Sequence, residues 1–214
     1  MKAFKFRSST NLEFALDVIV NRRLFCADWR KLNDPMEGLF KYSSKLETYA
    51  EERVKGIGQA KSQYKVCSLS ADFQSHLLWS HYAGGFDGLA IEVDLPDHSD
   101  RIRPLEYRDV YAFLDMDLVT DERVAAEKIL FSKYREWEYE KEIRILHQSE
   151  WYPLERPIPR VIVGHRMKDV LVDTLATVCD REEIELCKVR IDDSGIGVER
   201  IECRIPRRKR RGRP

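Results

Sequence analysis

Two carboxylates spaced two residues apart are the feature of this sequence best suited to chemistry. The stretch 137–145 (WEYEKEIRI) largely alternates apolar and charged residues, which predicts a β-strand with one face of each kind. Glu140 and Glu142 share the charged face, where side chains two apart point the same way at roughly 6.5–7 Å. Both could reach one small ligand, one carboxylate holding a hydroxyl and the other accepting a proton. The same pattern is typical of a solvent-facing row on an edge strand, and Arg144, on that face, can pair with Glu142.

Three further side chains carry groups that bind phosphates or sugars. Arg7 ends a predicted strand, and its guanidinium can grip two phosphate oxygens at once. Ser68 and Ser70 share one face of another predicted strand. As alternatives, Arg7 is an exposed residue before a turn, and the serines are ordinary strand hydroxyls.

An imidazole beside aromatic rings is the next candidate. His81 and Tyr82 follow Trp79 and precede Gly84 and Gly85, so this segment could stack on a flat base or deliver a proton near neutral pH. Alternatively, Trp79 and Tyr82, three residues apart, form a core stripe, and His81 ties down a backbone carbonyl.

Several common catalytic motifs are absent from the sequence. It contains no Gly-x-Ser-x-Gly, Gly-x-x-x-x-Gly-Lys or His-Glu-x-x-His, which argues against serine hydrolases, P-loop NTPases and zinc proteases. Glu92, Asp94 and Glu142 are of a type that could hold Mg²⁺, although their spacing does not demand a metal.

Interspersed strands and helices must position these groups. Apolar periodicity and turn residues predict strands over 3–7, 24–27, 64–70, 89–95, 105–107, 160–164 and 184–191, and helices over 11–20, 43–62 (broken at Gly56 and Gly58), 77–83, 124–134 and 168–179. Asn33-Asp34-Pro35 predicts a turn. Without a strict βα repeat, this order predicts an α+β fold with mixed or antiparallel sheets and flanking helices.

Composition predicts one globular domain over residues 1–203 and a basic tail over 204–214. Acidic and basic residues balance at 37 each, so no bulk field draws the molecule to nucleic acid or membrane. Seven Lys or Arg residues between 204 and 213 could contact phosphates locally. The five cysteines, with no Cys-x-x-Cys, predict reduced thiols. Lacking a signal peptide or an apolar run of ~20 residues, the chain is predicted to be cytoplasmic and to make no membrane contact.

Six motifs in order resemble the DUF2971 family, a bacterial and phage-associated family, over roughly residues 4–165. They are FKFRS (4–8), LNDPME (32–37), CSLS (67–70), LWSHYA (78–83), GLAIE (88–92) and WEYEKEIR (137–144). The order Arg7, Ser68-Leu69-Ser70 and Glu140-Lys141-Glu142 also resembles the Arg, Ser-x-Ser, Glu-x-Glu pattern of arginine-type ADP-ribosyltransferases.

That second resemblance implies an ADP-ribosyltransferase-like fold, with NAD as substrate. Arg7 would grip NAD, Ser68 would support the nicotinamide pocket, Glu142 would stabilise the oxocarbenium-like ribose, and Glu140 would orient the acceptor. Ser70 belongs to the same serine motif. His81 and Tyr82 have no fixed counterpart in that pattern, and we assign them to NAD binding because they could stack on a flat base.

Three functions follow as hypotheses. The first is an NAD-dependent ADP-ribosyltransferase, a toxin or phage-defence effector acting on a protein or nucleic-acid acceptor. The second is a non-catalytic sensor or interaction module of a defence system, whose acidic strand meets a basic partner. The third is a metal-dependent nucleic-acid-processing enzyme, with Mg²⁺ on the acidic residues.

Overall fold

A computed structural model of the chain describes residues 1–97, 99–109 and 111–201. Its α-helices are α1 (Leu12–Asn21), α2 (Glu47–Ser62), α3 (His76–Tyr82), α4 (Glu122–Leu130) and α5 (Asp169–Glu182). Its strands are β1 (Lys2–Arg7), β2 (Arg23–Phe25), β3 (Ala27–Asp28), β4 (Phe40–Ser43), β5 (Lys65–Ser70), β6 (Leu89–Asp94), β7 (Ile102–Pro104), β8 (Glu106–Arg108), β9 (Ala112–Asp115), β10 (Ser132–Tyr134), β11 (Glu142–His147), β12 (Trp151–Pro153), β13 (Arg160–Val163), β14 (Glu185–Asp192) and β15 (Gly195–Arg200).

Parallel and antiparallel strands with flanking helices confirm the predicted α+β class. The chain forms two compact units, each assembled from separate segments. The first contains Met1–Lys5, Arg23–Phe73 and Asp94–Arg156, and the second contains Phe6–Arg22, Gln74–Val93 and the described residues from Pro157 onward. The single domain proposed for residues 1–203 stays a prediction, and the basic tail at 204–214 lies outside the described residues.

The first unit carries the strands of the Ser-x-Ser and Glu-x-Glu motifs side by side. Strands β1, β5, β11 and β7 are neighbours in that order, and β3 also pairs with β5. The pairing of β5 with β11 is antiparallel and sets Ser70 opposite Glu142 and Ser68 opposite Arg144. Three two-stranded sheets complete this unit: β4 with β9, β8 with β10, and β2 with β12.

Two apolar clusters support the first unit. Helices α2 and α4 and strand β9 bury the first, which contains Ala50, Ile57, Ala60, Ala112, Leu114, Met116, Ala125, Ala126 and Ile129. The second contains Tyr64, Val66, Leu105, Leu130, Phe131 and Leu146. The carbonyl of Leu130 in this second cluster accepts a hydrogen bond from Arg144 of β11, which ties that strand to the core.

The second unit contains four strands that are neighbours in the order β6, β13, β14, β15. Strands β13 and β14 are parallel, while β6 with β13 and β14 with β15 are antiparallel. Trp79 of α3 packs edge-on against Phe6 at 5.3 Å between ring centroids and stacks on Phe86 at 5.4 Å.

Two helix predictions need correction. Helix α2 runs unbroken through Gly56 and Gly58, since burial of Ile57 and Ala60 offsets a glycine penalty of about 1 kcal/mol each. The helix predicted over 124–134 ends at Leu130, and 132–134 is strand β10. There Lys133 pairs with Tyr107 of β8, a tertiary contact that local periodicity does not record. In the part of the chain described, we find no helix both long and apolar enough to cross a membrane.

Candidate functional site

The Glu-x-Glu stretch is not the continuous strand that its alternation predicts. Residues Arg135–Glu140 form a 3-10 helix, Lys141 adopts a left-handed φ of 44°, and β11 begins only at Glu142. This turn directs both carboxylates inward to the same ammonium group of Lys133. The Lys133 ammonium also lies 4.9 Å from the Trp137 ring centroid. These contacts explain why the segment departs from the strand that its alternating residues predict. Neither glutamate lies in a solvent-facing row.

Glu142 is held by two cations in the protein interior. It is 1 % exposed; one carboxylate oxygen accepts from Arg144 Nε at 2.7 Å and the other from Lys133 Nζ at 3.0 Å. Burial raises the pKa of Glu142, but the charges of Arg144 and Lys133 and hydrogen bonds from Arg144 and Ser68 outweigh it and lower the pKa to about 2. Glu142 is therefore an anion at neutral pH, and its predicted ion pair with Arg144 is confirmed.

Lys133 joins the two glutamates of the motif. Its ammonium donates to Glu140 at 2.5 Å as well as to Glu142. Burial lowers the pKa of Lys133, while the charges of Glu142 and Glu140 more than compensate and raise it. Lys133 is therefore positively charged and lies between two carboxylates.

Arg144 extends the network to the loop before β4. Its two terminal nitrogens bind the two oxygens of Glu37, and one of them also donates to the carbonyl of Leu130. Burial lowers the pKa of Arg144, but the charges of Glu142 and Glu37 outweigh this effect and raise it. For Glu37 the balance is reversed: burial raises its pKa by more than the charge of Arg144 lowers it. We call Glu37, Lys133, Glu140, Glu142 and Arg144 the charged cluster; with all five ionised, its formal charge is −1.

The two serines hold the cluster in different ways. A hydrogen bond from Ser68 contributes to the lowered pKa of Glu142, less than the charges of Arg144 and Lys133 do. The Ser70 hydroxyl lies 2.7 Å from the carbonyl oxygen of Glu140 and 2.9 Å from that of Asp72, and accepts from the Asp72 amide. Ser68 thus acts on the charge of Glu142, and Ser70 fixes the turn that precedes it.

A small cavity reaches the cluster at Glu37 and Lys133. Its walls also include Asp34, Ser132, Tyr111 and Tyr134, and the centre of a water molecule can occupy about 10 Å³ of it. That is space for roughly one water molecule. Its contact with Lys133 makes the cavity a route by which a group from solvent could approach the cluster.

Arg7, His81 and Tyr82 belong to the second unit. Arg7 is half-buried at the end of β1, and a Cβ at Gly88 would lie 2.1 Å from its carbonyl oxygen, so only glycine allows this close approach. His81 is exposed and Tyr82 half-buried at the end of α3, with ring centroids 6.3 Å apart. A site that combines these three residues with the charged cluster stays a prediction.

Sequence reasoning about chemistry missed Glu37 and Lys133. Glu37 follows the Asn33-Asp34-Pro35 turn, in which Asp34 accepts from the Met36 amide at 2.9 Å. That turn was a usable signal, because it fixes where the next carboxylate points. No comparable signal marked Lys133, because the sequence around it does not distinguish a buried lysine from an exposed one.

Among the described residues, no three His, Cys, Asp or Glu side chains come together as a metal site, and Glu92 is paired with Arg160. Comparison of the chain with protein-family models, curated proteins and solved structures found no match.

Proposed function

We propose that the protein is an NAD-consuming enzyme of the ADP-ribosyltransferase type, with Glu142 as its central catalytic group. The observation that carries this proposal is the antiparallel pairing of β5 with β11, which sets Ser70 opposite Glu142 and Ser68 opposite Arg144. The Ser-x-Ser and Glu-x-Glu motifs, distant in sequence, meet in this pair of strands. A cytoplasmic toxin or phage-defence effector is the setting that we propose for this activity.

The chemistry requires an anion beside the ribose. Positive charge develops at the ribose carbon as nicotinamide leaves NAD, and a carboxylate already in place stabilises that charge. With a pKa of about 2, Glu142 is ionised at any physiological pH. Glu140, the other carboxylate of the motif, would orient the acceptor nucleophile.

Access to Glu142 depends on Lys133. Both Glu142 oxygens are bonded to cations, and the adjoining cavity holds about one water molecule. Lys133 lines that cavity and has a flexible four-carbon stem, so we propose that NAD binding displaces Lys133 from Glu142. Arg144, fixed by Glu37 and Leu130, would remain.

Labelled NAD tests this proposal. The full chain is incubated with bacterial extract and with NAD labelled either on nicotinamide or on adenine, and nicotinamide release and label transfer are measured separately. Glu142→Gln is expected to lower nicotinamide release ~10²–10³-fold, the cost typical of removing one electrostatic stabiliser. Glu140→Gln is expected to lose label transfer but keep release, because it acts on the acceptor.

Glu37→Gln is the matched control. Glu37 binds the same Arg144 from the opposite side and lies outside the Glu-x-Glu motif, so its loss perturbs the cluster and leaves both carboxylates of the motif in place. Thermal unfolding of each variant checks that it is folded. Release by wild type no greater than by Glu142→Gln, or equal losses in Glu142→Gln and Glu37→Gln, would contradict the assignment.

A non-catalytic interaction module is the second candidate. It is favoured by the closure of the charged cluster, in which Glu140 and Glu142 are 5 % and 1 % exposed and bonded within the protein. In that case the cluster only fixes the fold, and any partner meets another surface. We would then expect NAD to leave the melting temperature unchanged at concentrations that saturate known NAD enzymes, whereas specific NAD binding raises it.

A further inference from the structure

Cys26 and Cys67 face each other in the first unit. Strand β3 pairs antiparallel with β5 through Ala27 opposite Val66 and Asp28 opposite Lys65. Continuing this register by one residue sets Cys26 opposite Cys67. The two thiols are also joined by a side-chain hydrogen bond, so they are direct neighbours.

The backbone hydrogen bonding at Cys26 places it in a non-hydrogen-bonded position opposite β5. The Cys26 amide donates to the carbonyl of Glu150 at 2.8 Å, so it is not used in pairing with β5. Opposed residues of this non-hydrogen-bonded kind have Cα atoms about 4.5 Å apart and closely approaching side chains. Disulfides join Cα atoms roughly 4.4–6.8 Å apart, so the spacing typical of such opposed residues falls at the short end of the allowed range.

We propose that Cys26 and Cys67 form a reversible disulfide by exchange with a small-molecule disulfide such as oxidised glutathione. The thiolate of one cysteine attacks a glutathione sulfur and expels one glutathione thiolate. The second protein thiolate attacks the protein sulfur of the mixed disulfide and expels the other. Two protein thiols are oxidised, one glutathione disulfide is reduced to two thiols, and the two protons go to solvent or to the expelled thiolates.

Reaction depends on local opening of the edge strand. Cys26 and Cys67 are at most 1 % exposed, and the hydrogen bond to Cys67 followed by burial raises the pKa of Cys26, so the closed pair is unreactive. Strand β3 has only two residues, both paired with β5. A strand this short opens more readily than the core, and opening exposes both thiols together.

Two other buried cysteines provide internal controls. Cys179 lies on α5 and Cys187 on β14, both in the second unit and both buried. Burial is the first cause of the raised pKa of each. Cys179 and Cys187 are buried like Cys26 and Cys67, but neither lies on β3 or β5.

Mass spectrometry of the oxidised chain tests the proposal. The Cys203→Ser chain, which lacks the cysteine outside the described residues, is treated with oxidised glutathione in native buffer and then alkylated and digested. The expected result is loss of two alkylatable thiols per chain, a linked peptide pair that contains Cys26 and Cys67, and full recovery with dithiothreitol. Cys26→Ser or Cys67→Ser abolishes the link, whereas Cys179→Ser leaves its yield unchanged.

Several outcomes of this experiment would overturn the disulfide proposal. Retention of all four thiols in native buffer, with a link formed only in denaturant, would overturn the proposal. So would linked peptides that join Cys26 or Cys67 to Cys179 or Cys187, or glutathione adducts on Cys26 that persist without a link to Cys67. Serine variants that fail to fold are replaced by Cys26→Ala and Cys67→Ala, which preserve an apolar interior.

Discussion

Glu37 and Arg144 form a two-pronged ion pair whose side chains are 2 % and 0 % exposed and lie 107 positions apart in the sequence. It fastens the loop before β4 to the inner strand β11. Removing two charges from water costs free energy that their mutual attraction repays only with good geometry and further hydrogen bonds. Arg144 meets this condition, since Glu142 and the Leu130 carbonyl take two more of its five N–H donors.

Loss of Arg144 is expected to be severely destabilising. Arg144→Met leaves Glu37 and Glu142 as buried carboxylates without their main cation. Breaking a buried pair in this way costs about 3–5 kcal/mol. Urea unfolding, followed by tryptophan fluorescence, measures the change in unfolding free energy.

Arg135→Met is the matched control for that variant. Arg135 also binds a carboxylate, Asp109, at 2.9 Å, but the two side chains are 58 % and 70 % exposed. Exposed pairs contribute about 0–1 kcal/mol, so this variant is expected to unfold almost as wild type does. Equal losses from both arginine variants would refute the role given to the buried pair.

Acid is expected to destabilise the protein through Glu142. Its pKa falls from 4.5 to about 2 on folding, so the folded state favours the ionised form. The resulting stability, about 3 kcal/mol by linkage, is fully present above pH 4.5 and is lost as the pH falls toward 2. Urea midpoints measured at a series of acidic pH values follow this loss.

Glu37 acts against this loss of stability in acid, and the Glu142→Gln variant shows how much of the loss comes from Glu142. Burial raises the pKa of Glu37, so its folded form takes up a proton more readily than the unfolded chain, and acid favours folding at this one site. Glu142→Gln is expected to be less stable at neutral pH and to have a flatter acid profile. A wild-type slope that persists in Glu142→Gln would assign the acid sensitivity to other carboxylates.

Sequence patterns predicted the helices and strands whose buried residues follow a regular spacing within the element itself. Helix α1 and strands β5, β6, β13 and β14 were predicted within a few residues, because their apolar residues recur at one period over a whole element. Strands β4, β7, β9, β12 and β15 were not predicted, and β10 lies in a segment that was predicted as helix. Two of them, β4 and β9, exist through pairing with each other across about seventy residues of chain, and a single sequence carries no record of such pairing.

The candidate site was predicted in part for a related reason. Glu142, Ser68 and Arg144 were found because each lies at a fixed spacing within one strand. The inward turn at Glu140 depends on Lys133, whose ammonium binds both glutamates. A lysine that neutralises buried acids has the same local sequence signature as one in solvent, so the closure of the site could not be read from spacing.

Gly38 and Gly58 are expected to respond oppositely to the same substitution. Gly38 has a φ of +73°, and a Cβ there would lie 2.6 Å from the Trp29 ring, so Gly38→Ala should cost about 1–3 kcal/mol. Gly58 lies inside α2 with nothing within 4 Å of such a Cβ, so Gly58→Ala should stabilise by about 0.5–1 kcal/mol. Thermal unfolding of both variants checks the signs, and a stabilised Gly38→Ala would show that the loop before β4 is free to rearrange.

Ser68 and Ser70 should separate electrostatic from conformational support of the cluster. A hydrogen bond from Ser68 contributes to the lowered pKa of Glu142, so Ser68→Ala is expected to raise that pKa and move the acid transition to higher pH. The Ser70 hydroxyl bonds backbone groups of Glu140 and Asp72, so Ser70→Ala should cost about 1–3 kcal/mol at neutral pH, the penalty for a buried group left unsatisfied. The Ser70→Ala acid transition should keep its midpoint once the curves are normalised to neutral stability. If the two alanine variants instead shift the acid transition equally, Ser68 acts on the backbone as Ser70 does, and the coupling of Ser68 to the charge of Glu142 is absent.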